Sequence, residues 1–259
     1  MTTATLPYRV TPARVLRSEW HKFWTLRSTW ITLVVTSALT AAMGAGLGAA
    51  YDGSGEGSMD TVMFVLLGTQ FATINLGVLG ILASAGEYST GQIRATMTAV
   101  PRRLPVLWSK ATVLTAVALP LTLATNLLTF PLAQSFLTGT DLSASLGDPG
   151  VLRALAGNAA GLTLLAVLAL GIGALLRSVP MAVGAFIGLV MILPEILAML
   201  PYAVVDDAVR YFPGKALEAL TTAEPLPGAT SPGAALLAML LWAAALLTVA
   251  AVVLRRKDV

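Results

Sequence analysis

Few side chains in this sequence could carry out catalysis. There is no cysteine, and His21 is the only histidine, so thiolate chemistry, disulfides and metal clusters built from Cys or several His are excluded. No Gly-x-x-x-x-Gly-Lys-Ser/Thr motif occurs; the nearest match, Pro213-Gly214-Lys215-Ala216, lacks the loop and the hydroxyl that hold a nucleotide and its Mg²⁺. We therefore expect that the chain is not an enzyme and holds no metal or other cofactor itself.

Polar side chains inside long apolar stretches are the next candidates, because such groups are costly in lipid and often functional. Glu195 is the only acidic residue well inside such a stretch. It either contacts a substrate or proton, or reaches the membrane surface where Pro194 breaks the helix, and we favour the second interpretation. Asn75 and Asn126 complete the candidate substrate pathway. Hydrogen bonding between helices is the other interpretation of the amides, namely Asn75, Asn126, Asn158, Gln70 and Gln134.

Six long apolar stretches must position these side chains. They cover residues 29–50, 61–85, 107–137, 151–176, 181–200 and 232–254, and each reaches the roughly 20 residues that a helix needs to cross a bilayer. Only 11% of the residues are charged and 56% are hydrophobic, whereas soluble proteins carry about 25% charged residues. Unbroken apolar runs favour helices over the alternating strands of a barrel. The sequence predicts an all-α polytopic membrane protein with six spans.

The basic residues lie mostly on one side of these stretches. With the N-terminus in the cytoplasm, all but Arg153, Arg210 and Lys215 of the 16 Lys and Arg lie in cytoplasmic segments. Because cytoplasmic loops carry the excess of Lys and Arg, we predict a multi-pass plasma-membrane protein with both termini in the cytoplasm. Residues 29–254 form the membrane domain and residues 255–259 a cytoplasmic tail. Topology accounts for the basic residues, so no nucleic-acid partner is expected.

Residues 1–28 contain an amphipathic segment. Apolar residues recur at Leu16, Trp20, Phe23 and Trp24, with Arg27 on the next turn and basic residues on the opposite face. This spacing is typical of a helix that lies in the membrane interface, where tryptophan rings are enriched. A segment that only fixes the topology is the alternative. We predict an interfacial helix that includes Trp20, Phe23, Trp24 and Arg27.

The loop between the second and third stretches predicts a short helix. Thr90 could cap it and Pro101 would end it. Ile93, Met97 and Val100 would then share one face, which gives the helix an apolar stripe for docking. A loop that only set the topology would need basic residues but no apolar stripe.

Residues 201–231 form the largest segment predicted outside the membrane. Val209, Phe212, Ala216 and Leu220 fall on one helical face, and Pro213 interrupts the pattern. We expect a short amphipathic or re-entrant helix there.

Two of these patterns together resemble a known family. They are Arg17-Ser18-Glu19-Trp20-x-Lys22-x-x-Thr25-Leu26-Arg27-Ser28-Thr29-Trp30 and Glu87-Tyr88-x-x-Gly91-x-Ile93-Arg94-x-Thr96-x-x-x-Val100-Pro101-Arg102-Arg103. With the six spans and the segment Arg210-Tyr211-Phe212-Pro213-Gly214-Lys215-Ala216, they look like the type-two export permeases of ATP-binding-cassette (ABC) transporters, closest to the short six-span permeases common in actinobacteria.

The resemblance implies a partner and a mechanism. In that family the N-terminal helix is an interfacial connector, and the loop after the second span is a coupling helix, here residues 90–100, that sits in a groove of a separate ATPase subunit. ATP and Mg²⁺ would be bound by that cytoplasmic ATPase, and a second permease subunit, identical or different, would complete the membrane part. The resemblance assigns ATPase coupling to Glu87, Tyr88, Gly91, Ile93, Arg94, Thr96, Met97, Pro101, Arg102 and Arg103.

The mostly apolar spans favour an amphiphilic or hydrophobic substrate for such an exporter. Two other classes of function stay open at this point. One is a membrane sensor or assembly component that transports nothing, and the other is a membrane-integral enzyme.

Overall fold

The structure of the chain is a computed structural model that describes residues 11–53, 60–93, 98, 104–224 and 228–256. Within these ranges the chain is helical and contains no strand. In chain order the helices are α1 (Pro12–Thr25), α2 (Arg27–Ala50), α3 (Thr61–Val65), α4 (Thr69–Ser89), α5 (Leu104–Leu137), α6 (Val151–Leu176), α7 (Val179–Ile187), a π-helical turn (Gly188–Ile192), α8 (Leu193–Ala198), α9 (Ala203–Val209), α10 (Pro213–Thr221) and α11 (Pro232–Arg256).

Within the described ranges, six segments are long and apolar enough to cross a membrane, which confirms the predicted all-α polytopic fold. They are α2, α4, α5, α6, the continuous run Val179–Ala198 and α11. With 34 residues, α5 is the longest and spans about 51 Å at 1.5 Å per residue.

The second span differs from the predicted stretch 61–85 at both ends. Residues 61–65 form the separate helix α3, and α4 begins only at Thr69 and continues to Ser89. The break at Gly68 lies directly against α2, since a Cβ on this glycine would be 2.8 Å from the Met43 Cβ and 2.9 Å from the Thr40 carbonyl oxygen. This tertiary contact leaves no room for a larger residue, and hydrophobicity alone does not reveal it.

Helix α6 is the centre of the bundle. It packs against α4, α5, α7, α10 and α11, and 72% of its most apolar 18-residue stretch is buried, against 28% in α2, 22% in Val179–Ala198 and 28% in α11. The contact with α4 is close enough that a Cβ on Gly80 would lie 2.2 Å from the Ala166 carbonyl oxygen. The outer helices therefore leave apolar surface for lipid or a partner chain.

The N-terminal helix α1 is a separate element that packs against α5. It begins after Thr11, whose hydroxyl accepts a hydrogen bond from the Arg14 backbone N–H at 3.4 Å, with a proline in the first turn. It ends at Leu26, whose extended backbone (φ −80°, ψ 119°) separates it from α2. The Trp30 indole N–H donates to the Trp24 carbonyl at 3.0 Å across this break. The chain thus turns between α1 and the first span at one residue.

Candidate functional site

Four charged side chains meet where α1, the end of α4 and the start of α5 come together. The Lys110 ammonium is 2.8 Å from Glu19 Oε2 and 2.5 Å from Glu87 Oε1. Lys22 also pairs with Glu87 Oε1. We call Glu19, Lys22, Glu87 and Lys110 the ion cluster.

The ion cluster is largely shielded from solvent. The side chains of Lys110, Glu19 and Glu87 are 8%, 9% and 4% exposed, while that of Lys22 is 27% exposed. Two carboxylates and two ammonium groups balance each other, so no net charge is buried. Pairing at short distance compensates for lost hydration only when both partners are in place. Removing one member of the ion cluster would therefore leave a buried charge of another member uncompensated.

Each helix places its member of the ion cluster by simple periodicity. On α1, Val15, Glu19 and Phe23 are spaced by four residues and are the buried positions of the helix. Glu87 is in the last turn of α4 and Lys110 in the second turn of α5. The ion cluster therefore joins three elements at the point where the chain leaves the second span and enters the third.

A cavity of about 240 Å³ adjoins the ion cluster. It lies between α1, the start of α2, the end of α4 and the start of α5. Its lining includes all four residues of the ion cluster and apolar side chains such as Phe23 and Val113.

The chain beyond Glu87 turns sharply. Thr90 ends α4, since its backbone N–H and its hydroxyl both donate to the Gly86 carbonyl, at 3.2 and 3.0 Å. The helix that Thr90 was expected to cap lies mostly outside the described residues. Gly91 has φ +73°, a conformation that favours glycine. Ile93 is 7% exposed, so its side chain packs within this chain, whereas a residue that docks on a separate subunit would be exposed here.

The remaining coupling positions are only partly described. The Tyr88 ring lies against the Arg177 guanidinium, with 5.3 Å from the guanidinium carbon to the ring centroid, so the end of α4 also contacts the end of α6. The predicted coupling residues Arg94, Thr96, Met97, Pro101, Arg102 and Arg103 lie outside the described residues.

The aromatic residues of the predicted interfacial helix form one group. Trp24 contacts Trp20 and Trp30 with ring centroids 5.7 and 4.6 Å apart, and it packs edge-on against Phe23 at 5.8 Å. Phe23 is buried, Trp20 and Trp30 are 40% and 50% exposed, and Arg27 is exposed as the first residue of α2. One face of α1 thus packs on the bundle and the other presents tryptophans outward.

The three candidates for a substrate pathway do not come together. The Asn126 side chain donates to the Leu155 carbonyl and to Asn158 Oδ1, both at 3.0 Å, and Asn158 donates to Thr221 Oγ1 at 2.9 Å. This network links α5, α6 and α10 and fits the packing interpretation of the amides. The buried Asn75 Nδ2 has no hydrogen-bond partner among the described residues.

Glu195 is a surface residue in this structure. Its side chain is 64% exposed and lies 2.7 Å from the Lys215 ammonium, which is also 3.4 Å from Glu218. These three residues line a second cavity of about 270 Å³ near the start of α4. The ion pair agrees with the interpretation of Glu195 as a carboxylate at the membrane surface.

Sequence reasoning singled out Glu87 but missed its partners. Glu19 and Lys22 were only part of an N-terminal pattern, and Lys110 was only one of the basic residues that set the topology. Two sequence features could have indicated these partners. Glu19 lies four residues from both Val15 and Phe23, and Lys110 is the seventh residue of the apolar helix α5. Both positions demand a partner of opposite charge.

The described residues contain no group of three His, Asp or Glu side chains that could hold a metal ion. Glu19 and Glu87 are both held by lysines, which makes them poor candidates for metal ligands. No protein-family model and no curated protein matches this chain. The resemblance to export permeases therefore rests on the quoted residues together with the six spans.

Proposed function

We propose that the chain is the membrane-spanning subunit of an ABC exporter, which moves an amphiphilic or hydrophobic substrate with energy from ATP hydrolysed by a separate ATPase subunit. The observation that carries the proposal is the ion cluster. It ties Glu87, at the end of α4, to α1 and α5 shortly before residues 90–100, which resemble a coupling helix.

The ion cluster would brace the two helices on either side of that segment. A push from an ATPase on the proposed coupling helix would act on the end of α4 and the start of α5, which residues 90–103 connect. Because Lys110 bridges Glu19 and Glu87, α1, α4 and α5 would move as a unit. The spans would tilt between two states, and ATP would shift the population only through contacts that differ between these states.

A second subunit would complete the transport path. In α2, Val179–Ala198 and α11, fewer than a third of the residues in the most apolar stretch are buried within one chain. Their large apolar surfaces would contact lipid or the second permease subunit, which is either a copy of this chain or a related one. The plasma membrane, with both termini in the cytoplasm, is the proposed location.

The experiment that tests the proposal is co-purification. The tagged chain would be extracted in detergent from the organism that encodes it, and associated proteins would be identified by mass spectrometry. We expect an ABC ATPase to co-purify with wild type and to be lost in Arg94→Glu, which alters the proposed contact.

Arg210→Glu is the matched control for the charge reversal. Arg210 lies at the opposite end of the bundle, where it pairs with Asp207 three residues earlier, so its reversal should leave the ATPase bound. A folded chain that retains no such ATPase would refute the exporter proposal. It would favour the sensor, the assembly component or the membrane-integral enzyme.

A further inference from the structure

An open groove of about 630 Å³ lies between α1, α2 and α5 on the outer surface of the bundle. Apart from Ser37 its lining is apolar, and it combines the rings of Trp20, Trp24 and Trp30 with aliphatic side chains of α2 and α5. Trp30 and Val34 are 50% and 62% exposed, so the groove faces outward from the bundle. Exposed apolar surface of this extent is suited to an apolar occupant.

The groove has the length of one membrane leaflet. On α2 its lining runs from Trp30 to Ala38, a rise of about 12 Å at 1.5 Å per residue. The hydrocarbon core of a bilayer is about 30 Å thick, so one leaflet takes up about 15 Å. Because Trp30 lies in the first turn of the first span, the groove belongs to the leaflet on the side of α1. A lipid acyl chain of that leaflet has the length and the chemistry to fill it.

Two arginines flank the tryptophans that line the groove. Arg17 lies three residues before Trp20 on α1, and Arg27 lies three residues before Trp30 on α2. Residues at this spacing are neighbours on one side of a helix. Each arginine is therefore placed one turn beyond a groove tryptophan, toward the membrane surface.

The charge of these arginines is not neutralised by the helices around the groove. Arg17 and Arg27 are exposed, and neither forms an ion pair within the described part of the chain. Glu19 is the only acid in α1, α2 and α5, and its carboxylate is 9% exposed and held by Lys110. The surface end of the groove therefore carries a positive charge that an anion can balance.

The tryptophans at this end also offer a hydrogen-bond donor. The Trp30 indole N–H is engaged by the Trp24 carbonyl. The Trp20 indole N–H has no acceptor within the described residues, and its ring is 40% exposed. Phosphate oxygens accept strong hydrogen bonds from guanidinium groups and bond to neutral N–H groups as well. A phosphate group at this end could thus bond to both kinds of donor.

We propose that this groove binds an anionic phospholipid of the leaflet on the side of α1, with an acyl chain along the apolar lining and its phosphate over Arg17, Trp20 and Arg27. A zwitterionic phospholipid has the same chains and phosphate, but its headgroup adds a positive charge next to two arginines. The net charge of the headgroup therefore discriminates between lipids.

The preference can be measured by native mass spectrometry. The purified full-length chain is placed in bilayers that contain equal amounts of dioleoylphosphatidylglycerol and dioleoylphosphatidylcholine, which share acyl chains and phosphate and differ in net charge. We expect phosphatidylglycerol to be retained at least about fivefold more than phosphatidylcholine, the effect of a single arginine near an anionic lipid. Equal retention of the two lipids would overturn the proposal.

The double variant Arg17→Gln, Arg27→Gln tests where the preference originates. Its matched control is Arg255→Gln, Arg256→Gln, which removes two exposed arginines at the end of α11, on the same predicted side of the membrane but outside the groove. We expect the first variant to lose the preference for phosphatidylglycerol and the second to keep it. Equal loss in both would indicate a general attraction to anionic lipid and would refute a site, as would a preference that survives in both.

Ala116→Phe tests the location of the acyl chain, because it fills the groove from an exposed position of α5 without changing a charge. Its control is Ala244→Phe, at an exposed position of α11 outside the groove. We expect Ala116→Phe to lose the retained phosphatidylglycerol and Ala244→Phe to keep it. Ala38→Phe repeats the test from α2 if Ala116→Phe does not fold. A wild-type dimer that Ala116→Phe converts to a monomer would assign the groove to a second copy and overturn the proposal.

This inference goes beyond the proposed function and does not depend on it. Lipid retention is measured on the chain alone, without ATPase or nucleotide. Loss of ATPase co-purification would leave the lipid site standing, and absence of a lipid preference would leave the ATPase contact standing.

Discussion

Two charged clusters lie near opposite ends of α4, and they differ in burial far more than in composition. The ion cluster at the end of α4 keeps Glu19, Glu87 and Lys110 below 10% side-chain exposure. Near its start, Lys215 pairs with Glu195 and Glu218, whose side chains are 64% and 41% exposed. We call these three residues the surface cluster.

The difference in burial indicates that the two clusters have different roles. In the ion cluster, loss of one partner leaves buried charges that neither water nor another side chain can stabilise, so the three helices are held in one arrangement. In the surface cluster Glu195 and Glu218 are exposed. At the membrane surface where we expect them, water would replace a lost partner and salt would screen the attraction. A region that transmits motion between helices needs the first kind of contact. The second kind merely joins α8 to α10.

The largest effect is expected from Lys110→Met. This change leaves Glu19 without its cation and Glu87 with Lys22 alone, and breaking a buried ion pair costs about 3–5 kcal/mol. We expect a loss of this size in the free energy of unfolding, measured by denaturation in mixed micelles. Transport, once its substrate is known, should fall as well.

The triple variant Glu19→Gln, Glu87→Gln, Lys110→Met is the control for Lys110→Met. It removes both acids together with the lysine and leaves only the Lys22 ammonium, whose side chain is 27% exposed, without its partner. Uncharged replacements of buried ion pairs are often tolerated. We expect it to recover much of the lost stability. A cost below about 1 kcal/mol for Lys110→Met alone would mean that water reaches the ion cluster, and the contrast between the two clusters would disappear.

The same substitution in the surface cluster should cost far less. In Lys215→Met the exposed Glu195 and Glu218 regain full hydration, so we expect a change of about 0–1 kcal/mol in the free energy of unfolding, measured under the same conditions. A loss comparable to that of Lys110→Met would show that the surface cluster also holds the fold together.

The smallest effect is a pH dependence of the surface cluster. Partial burial opposes the charge of Lys215, but its hydrogen bond to Glu195 and the attraction of Glu218 outweigh this and raise its pKa above the ordinary 10.5. The ammonium form therefore stabilises the fold below pH 10.5, and this contribution is lost as the pH rises through the higher pKa of the folded state. We expect the melting temperatures of wild type and Lys215→Met to converge in that range. A constant difference up to about pH 12 would contradict the assignment.

Part of the candidate site could be predicted from the sequence. Glu87, Gly91 and Ile93 stand out by their pattern, and the exposed position of Trp20 on α1 follows from helical spacing. The partners of Glu87 could not be found in the same way, because Lys22 and Lys110 lie 65 and 23 residues away, and Glu19 lies 91 residues from Lys110. No local pattern encodes contacts between such distant positions.

The sequence by itself determined the class of this protein. Each span must satisfy its backbone hydrogen bonds internally and expose apolar side chains to lipid, so a span can be recognised one segment at a time. Tertiary structure alone decided which polar groups are buried. It divided the second span at Gly68 through contact with α2, exposed Glu195 and buried Lys110. The free-energy cost of burying a charged side chain depends on the groups that surround it, and the packing of the helices determines which groups those are.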